Sequence, residues 1–189
     1  EEIGKPTGID IKETAFQHPK LTTFIFDMQD ADVANKMAAH DAVIHLGFAV
    51  KRGDLTLDEM YKINVKGSEN VVNAANENGI NKFINLSSVS VYGSGENIIE
   101  ETKPNPSHTF HYAQHKAELE TYITNNLPSA LQFRAHLIMG ANAQDFLREM
   151  FAMPVYLTFG EGKTPKQQVV HEKDVVSAIM SALNMDVSG

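Results

Sequence analysis

Four short runs rich in β-branched and aromatic residues, LTTFIFD (21–27), DAVIHL (41–46), KFINLSS (82–88) and ALQFRAHLI (130–138), are separated by helical stretches, and no two are joined by a hairpin-length turn. Parallel strands need such crossovers, whereas antiparallel neighbours can be joined by a tight turn. The pattern therefore predicts an α/β domain, a parallel sheet with helices on both faces. DADVANKMAAH (30–40) reads as one helix and residues 56–78 as a longer one, with apolar positions at Leu57, Met60, Tyr61, Val65, Val71, Val72 and Ala75 and Gly79 as its stop. The stretch ENIIEETKPNPS, with two prolines, reads as a surface loop before a helix that starts near 109. A last helix begins at about 174 with Asp174 as its N-cap.

Composition excludes several function classes. At 189 residues the chain has the size of one ordinary domain, and 42% hydrophobic with 21% charged residues is a globular composition. Sixteen Lys and Arg against twenty-four Asp and Glu give a net charge of −8 without long basic runs, which argues against binding a phosphate backbone. Without cysteine there are no disulfides, thiolate metal sites or Cys nucleophile. No segment approaches the length of a membrane span, and the acidic start EEIGKPTG does not read as a signal peptide, so a cytoplasmic protein is expected.

One constellation carries chemistry. In HYAQHKAELE, Tyr112 and Lys116 stand at i and i+4 and share a helix face. A phenol is a poor proton carrier at pH 7, but an adjacent ammonium favours the phenolate and lowers its pKa. The alternative is an ordinary surface pair. His108, His111 and His115 have metal-ligand spacing, yet 111 and 115 interleave with Tyr112 and Lys116, and zinc there would crowd the pair; no metal is expected.

HLGF at 45–48, NVKGSENVVNAA at 64–75, LSSVSVYG at 86–93, YAQHK at 112–116 and QQVVHEKDVVSAI at 167–179 follow one another in an order that resembles the extended short-chain dehydrogenase/reductase family, the NAD-dependent epimerase/dehydratase group. The resemblance implies a Rossmann-type doubly wound sheet, residues 1–140 forming the dinucleotide-binding domain and 141–189 a substrate region and last helix packed on it. It implies an oxidoreductase or epimerase acting on a hydroxyl or carbonyl carbon of a small substrate. Tyr112 would be the acid/base, Lys116 its electrostatic partner and a ligand of the nicotinamide ribose, and Ser88 the hydroxyl that polarises the substrate oxygen, with Ser87 and Ser90 as alternatives. The implied cofactor is NAD, with NADP possible. Asp10 would hold the adenosine ribose and disfavour a 2′-phosphate, a preference weakened by Lys12. Asp27 and Met28 match the adenine-holding pair, Leu46, Gly47 and Phe48 the residues along the dinucleotide, and Asn64 the asparagine near the nicotinamide. His136 falls among the implied cofactor contacts as well. A homodimer through the helices near 56–78 and 109–126 is also implied. The alternative is a non-catalytic dinucleotide sensor or scaffold of the same fold, against which the retained Tyr112 and Lys116 argue.

Departures from the family pattern narrow the substrate. Leu137 in FRAHLIMG stands where sugar-nucleotide members carry Asn, and Val89-Ser90 follows Ser88 where dehydratases carry Asp-Glu. The expected substrate is therefore a smaller alcohol or ketone, under a lid formed by about 141–168. The glycine-rich turn GxxGxxG is absent from the twelve glycines. A first βα unit of about 30 residues is thus expected to be missing before or within the first eight residues, which would leave two half-sheets with exposed edges.

Overall fold

The computed structural model describes residues 4–50, 53–141 and 168–185. The expected lid falls almost wholly outside these residues, as does any structure at 142–167. The described strands are β1 (Thr7–Asp10), β2 (Thr22–Ile25), β3 (Ala42–His45), β4 (Lys82–Ser88), β5 (Leu131–Ala135), β6 (Leu137–Met139) and β7 (Val169–His171). Every pairing among them is parallel: β1 with β2, β3 with β4 and β4 with β5, and β6 with β7. Three separate sheets result, β1-β2, β3-β4-β5 and β6-β7.

The helices are α1 (Val33–Met37), α2 (Leu57–Tyr61), α3 (Ser68–Glu77), α4 (His111–Asn126) and α5 (Glu172–Asn184). Thr56 starts α2 with a capping box: its hydroxyl accepts the Glu59 N–H, and its own N–H donates to the Glu59 carboxylate. The expected 56–78 helix is not uniform, because Lys62–Gly67 between α2 and α3 is π-helical. A widened turn of this kind re-aims the residues it carries, and here it sends Asn64, Val65 and Gly67 inward. Gly79, at φ +68°, ends the segment as expected.

Three further expectations change. The run 130–138 is two strands, because the chain leaves the β3-β4-β5 sheet at His136 and β6 joins β7 instead. The final helix starts at Glu172, where the His171 ring accepts the Lys173 N–H, so that Asp174 lies in its first turn rather than at the cap. The helix expected at 30–40 is the short α1.

The core lies between the sheet and α1, α3 and α4. Val72, Ala75, Phe83, Leu119 and Ile123 are among its members, and each is almost completely buried. Burying one such aliphatic or aromatic side chain contributes about 1.5–3 kcal/mol. The apolar stripes of α3 and α4 are spent on this core, and their outward faces carry Asn73, Asn76, Glu118 and Thr121. α5 packs against β4 and β6, and the Lys82 ammonium donates to the Leu183 carbonyl in its last turn.

Candidate active site

β4 and α4 build the centre of the site. Ser88 is the last residue of β4, and its hydroxyl accepts hydrogen bonds from the Ser90 N–H at 3.2 Å and the Ser90 hydroxyl at 2.9 Å. Tyr112, in the first turn of α4, stands beside Ser88, whose hydroxyl pulls the phenol's pKa down. One turn later the Lys116 ammonium donates to the Leu86 carbonyl at 2.6 Å. The match is geometric: one α-helical turn of four residues advances about 6 Å, and two strand residues advance about 6.6 Å. Helix and strand run in opposite directions, so Tyr112 meets Ser88 as Lys116 meets Leu86.

The electrostatics differ from the simplest expectation. Burial raises the Tyr112 phenol above its ordinary value, and the Ser88 hydroxyl acts the other way. The expected lowering by Lys116 is not seen, because that ammonium turns toward Leu86 and lies 5.9 Å from the centre of the tyrosine ring. Lys116 is itself pushed down to about 7, first by burial, with the Glu120 carboxylate pulling upward. Its Nζ sits 3.8 Å from the centre of the Phe48 ring, and that ring meets Tyr112 edge-on at 5.4 Å.

The residues expected to line a dinucleotide form a connected path. The Asp10 carbonyl accepts the Phe26 N–H at 2.8 Å, which ties the end of β1 to the segment that carries Asp27. The Asp10 carboxylate accepts the Lys12 N–H and the Asp27 carboxylate the Gln29 N–H, each at 2.9 Å, and both side chains are exposed. Met28 reaches Gly47, where an added Cβ would stand 3.4 Å from its sulfur. Leu46 is exposed, Phe48 leads on to Tyr112 and Lys116, and His136 directly follows Ala135, the register partner of Ser88. The β1-β2 and β3-β4-β5 sheets thus gather these residues at the carboxyl ends of their strands, where open α/β sheets hold ligands. Exposed carboxylates at one end of the path and a phenol and an ammonium at the other fit the adenosine and nicotinamide ends of a dinucleotide.

Asn64 is the exception. It is fully buried, and its amide is committed to the backbone of Ala49 and, at 3.3 Å, to His115 Nδ1. It acts on the path by holding the loop that presents Gly47 and Phe48. The rings of His111 and His115 are 6.3 Å apart, and no group of three or more His, Asp or Glu side chains among the described residues is arranged to hold a metal.

Several supporting residues escape a reading of the sequence. Buried Glu120 accepts three hydrogen bonds from Arg134, two from Nε at 3.0 and 3.1 Å and one from Nη2 at 2.8 Å. The same guanidinium donates to the Tyr92 hydroxyl at 2.6 Å and to the Glu100 carbonyl at 2.9 Å. The spacing of Tyr112, Lys116 and Glu120 is a visible signal, because all three fall on one helical face. Gly67 lets the 27–30 loop approach the helix, since a Cβ there would stand 3.0 Å from Met28 Cγ. His45, in HLGF, is buried with its Nε2 2.8 Å from the Ser68 hydroxyl, and burial and then Lys116 push its pKa down to about 3.

A 3-beta-hydroxysteroid dehydrogenase of Mycolicibacterium neoaurum is 34% identical over 96 residues, 46% of this chain and 26% of that protein. An N-acetyl-alpha-D-glucosaminyl-diphospho-ditrans,octacis-undecaprenol 4-epimerase of Escherichia coli O157:H7 is 32% identical over 111 residues, 58% of this chain and 33% of the relative. Among solved structures, MoeE5 in complex with UDP-glucuronic acid and NAD superposes with a TM-score of 0.83 at 20% identity, covering 97% of this chain and 65% of that one. The Bordetella bronchiseptica enzyme WbmH in complex with NAD+ gives 0.80 at 24% identity, with 95% and 64% covered. The fold is thus Rossmann-like α/β, and the chain spans about a quarter to a third of the length of these two curated relatives. The model of the NAD dependent epimerase/dehydratase family matches residues 6–189, and the chain belongs to that family.

Proposed function

We propose that the chain carries the cofactor-binding and catalytic core of an NAD-dependent oxidoreductase or epimerase acting on a secondary alcohol, or the corresponding ketone, of a small substrate. The observation that carries this reading is the way α4 lies along β4, with Tyr112 beside Ser88 and the Lys116 ammonium donating to the Leu86 carbonyl. NAD, when bound, supplies the hydride acceptor. In the oxidising direction the Ser88 hydroxyl would hydrogen-bond the substrate oxygen while Tyr112, first deprotonated to the phenolate, takes the hydroxyl proton as the carbon gives up its hydride; in the reducing direction the phenol returns that proton to the oxygen. Lys116 would stabilise the phenolate once it forms, and its ammonium would also hold the nicotinamide ribose. Asp10, Asp27 and Met28 would hold the adenosine end, and Leu46, Gly47, Phe48 and His136 the span between. The exposed carboxylate of Asp10 favours NAD over NADP, whose 2′-phosphate it would repel.

The reading includes a homodimer through the α2–α3 and α4 helices and a cytoplasmic location. No helix of the described residues is long and apolar enough to cross a membrane. The test is Tyr112→Phe, assayed for NADH formation on a panel of secondary alcohols and for NAD affinity by calorimetry. Turnover is expected to vanish while affinity stays within a few-fold; unchanged turnover removes Tyr112 from the mechanism.

A further inference from the structure

Lys116 is 3% exposed, and among the described residues no carboxylate lies within ion-pair distance of it. The charged and titratable groups around it leave it without a counterion. On its own helix, Glu120 is held by three hydrogen bonds from Arg134, which reaches in from β5, and Tyr112 is a neutral phenol. From β3, His45 is buried and kept neutral. β4 offers the carbonyl of Leu86, and the π-helical segment offers neutral Asn64. One other group of the right electrostatic sign is in contact, the face of the Phe48 ring, 3.8 Å from Nζ. A desolvated ammonium over an aromatic face is attracted by the negative potential of the π-system.

We infer that Phe48 is a positioning residue for Lys116, its ring face standing in for a carboxylate as the partner of the buried ammonium and the same ring packing perpendicular to Tyr112. The ring contributes through its π-face and not merely through its bulk. A carboxylate at this place would quench the ammonium, whereas a π-face keeps the charge available to a phenolate or a ribose hydroxyl. With burial holding Lys116 near neutrality, loss of the π-face drives it further toward the neutral amine. The consequence for catalysis rests on the acid/base reading of Tyr112 and Lys116, whereas the contact itself is measurable without cofactor or substrate.

The experiment follows the ¹³Cε resonance of Lys116 through a pH titration of the full chain, the signal being assigned by its loss in Lys116→Arg. Phe48→Leu and Phe48→Met keep an apolar side chain and remove the π-face; Phe48→Tyr keeps the face. The Leu and Met variants are expected to titrate about one pH unit below the unmodified chain, and the Tyr variant within a few tenths of it. Two apolar variants guard against one that fails to fold. If both titrate at the original midpoint, or if Phe48→Tyr shifts as they do, the ring acts by bulk alone and the inference falls. An unchanged turnover in Tyr112→Phe would overturn the functional reading and leave this titration result untouched.

Discussion

Asn64 clasps the backbone of Ala49 at two points: the Ala49 N–H donates to Oδ1 at 2.7 Å, and the Asn64 amide donates to the Ala49 carbonyl at 2.9 Å. The residues that follow β3 are thereby held against the π-helical segment, and Gly47 and Phe48 with them. Asn64→Ala leaves both backbone groups of Ala49 without partners, each at a cost of about 1–3 kcal/mol. Urea unfolding should show a lower midpoint with an unchanged slope, and Asn64→Gln should not restore it, because the longer side chain has no room in a fully buried site.

Arg134 and Glu120 form a buried pair in which the carboxylate is 5% and the guanidinium 23% exposed. Removing the cation strands the anion, so Arg134→Met should destabilise by about 3–5 kcal/mol. Adding Glu120→Gln to that variant should recover part of the loss. A double-mutant cycle measured by chemical unfolding checks this, and strictly additive losses would show that the two side chains act independently.

Acid stability depends on His45. Its folded pKa of about 3 lies below the 6.5 of an unfolded histidine, so between these values the unfolded chain binds the extra proton. Stability is therefore expected to fall as pH drops through this window. His45→Gln, which keeps a polar group for Ser68 and does not titrate, should flatten the acid limb of thermal midpoint against pH.

Lys116 acts on the alkaline side with the same sign. Its folded value of about 7 is below the ordinary 10.5, so the unfolded chain binds more protons between them and stability is expected to rise with pH across that range. Lys116→Met should remove the rise, as read by urea midpoints at pH 7, 8.5 and 10 (roughly spanning the interval). A slope equal to that of the unsubstituted chain would place the titration elsewhere.

Gly93 closes the turn after β4 at φ +70°, and a Cβ there would stand 2.2 Å from the Asn105 carbonyl oxygen. Gly93→Ala is expected to cost about 2 kcal/mol or more, because the backbone conformation and the contact are both unfavourable to a side chain. Because the Asn105 N–H also donates to the Val91 carbonyl, the loop that follows should loosen. Faster amide exchange at Asn105 in the variant checks this.

The strands were legible because parallel strands are short runs of β-branched and aromatic residues, and LTTFIFD, DAVIHL and KFINLSS each contain one of the observed strands; burial does not follow in every case, since β2 is exposed along its length. β7 was not legible as a strand: VVH is too short to stand out and becomes extended only by pairing with β6. The division of 130–138 was hidden for a related reason. ALQFRAHLI is one apolar run, and the chain changes sheets at His136, inside it, for want of any local turn residue. Ser88, Tyr112 and Lys116 could be chosen from spacing, since a helix brings i and i+4 to one face. The roles of Asn64, Glu120 and Phe48 could not, because each depends on a partner far away in the chain.

By itself the sequence determined the α/β class, the parallel direction of the strands, the family resemblance, and the phenol and ammonium on one helical face. These follow from local periodicity and short-range spacing, which a linear chain displays directly. Tertiary structure alone decided that Lys116 turns to Leu86 and Phe48 rather than to the tyrosine oxygen, that Arg134 occupies Glu120, and that burial raises Tyr112 while lowering Lys116. Burial and long-range contact set the energy of a charge, and both come into being only when β4 and α4 pack together.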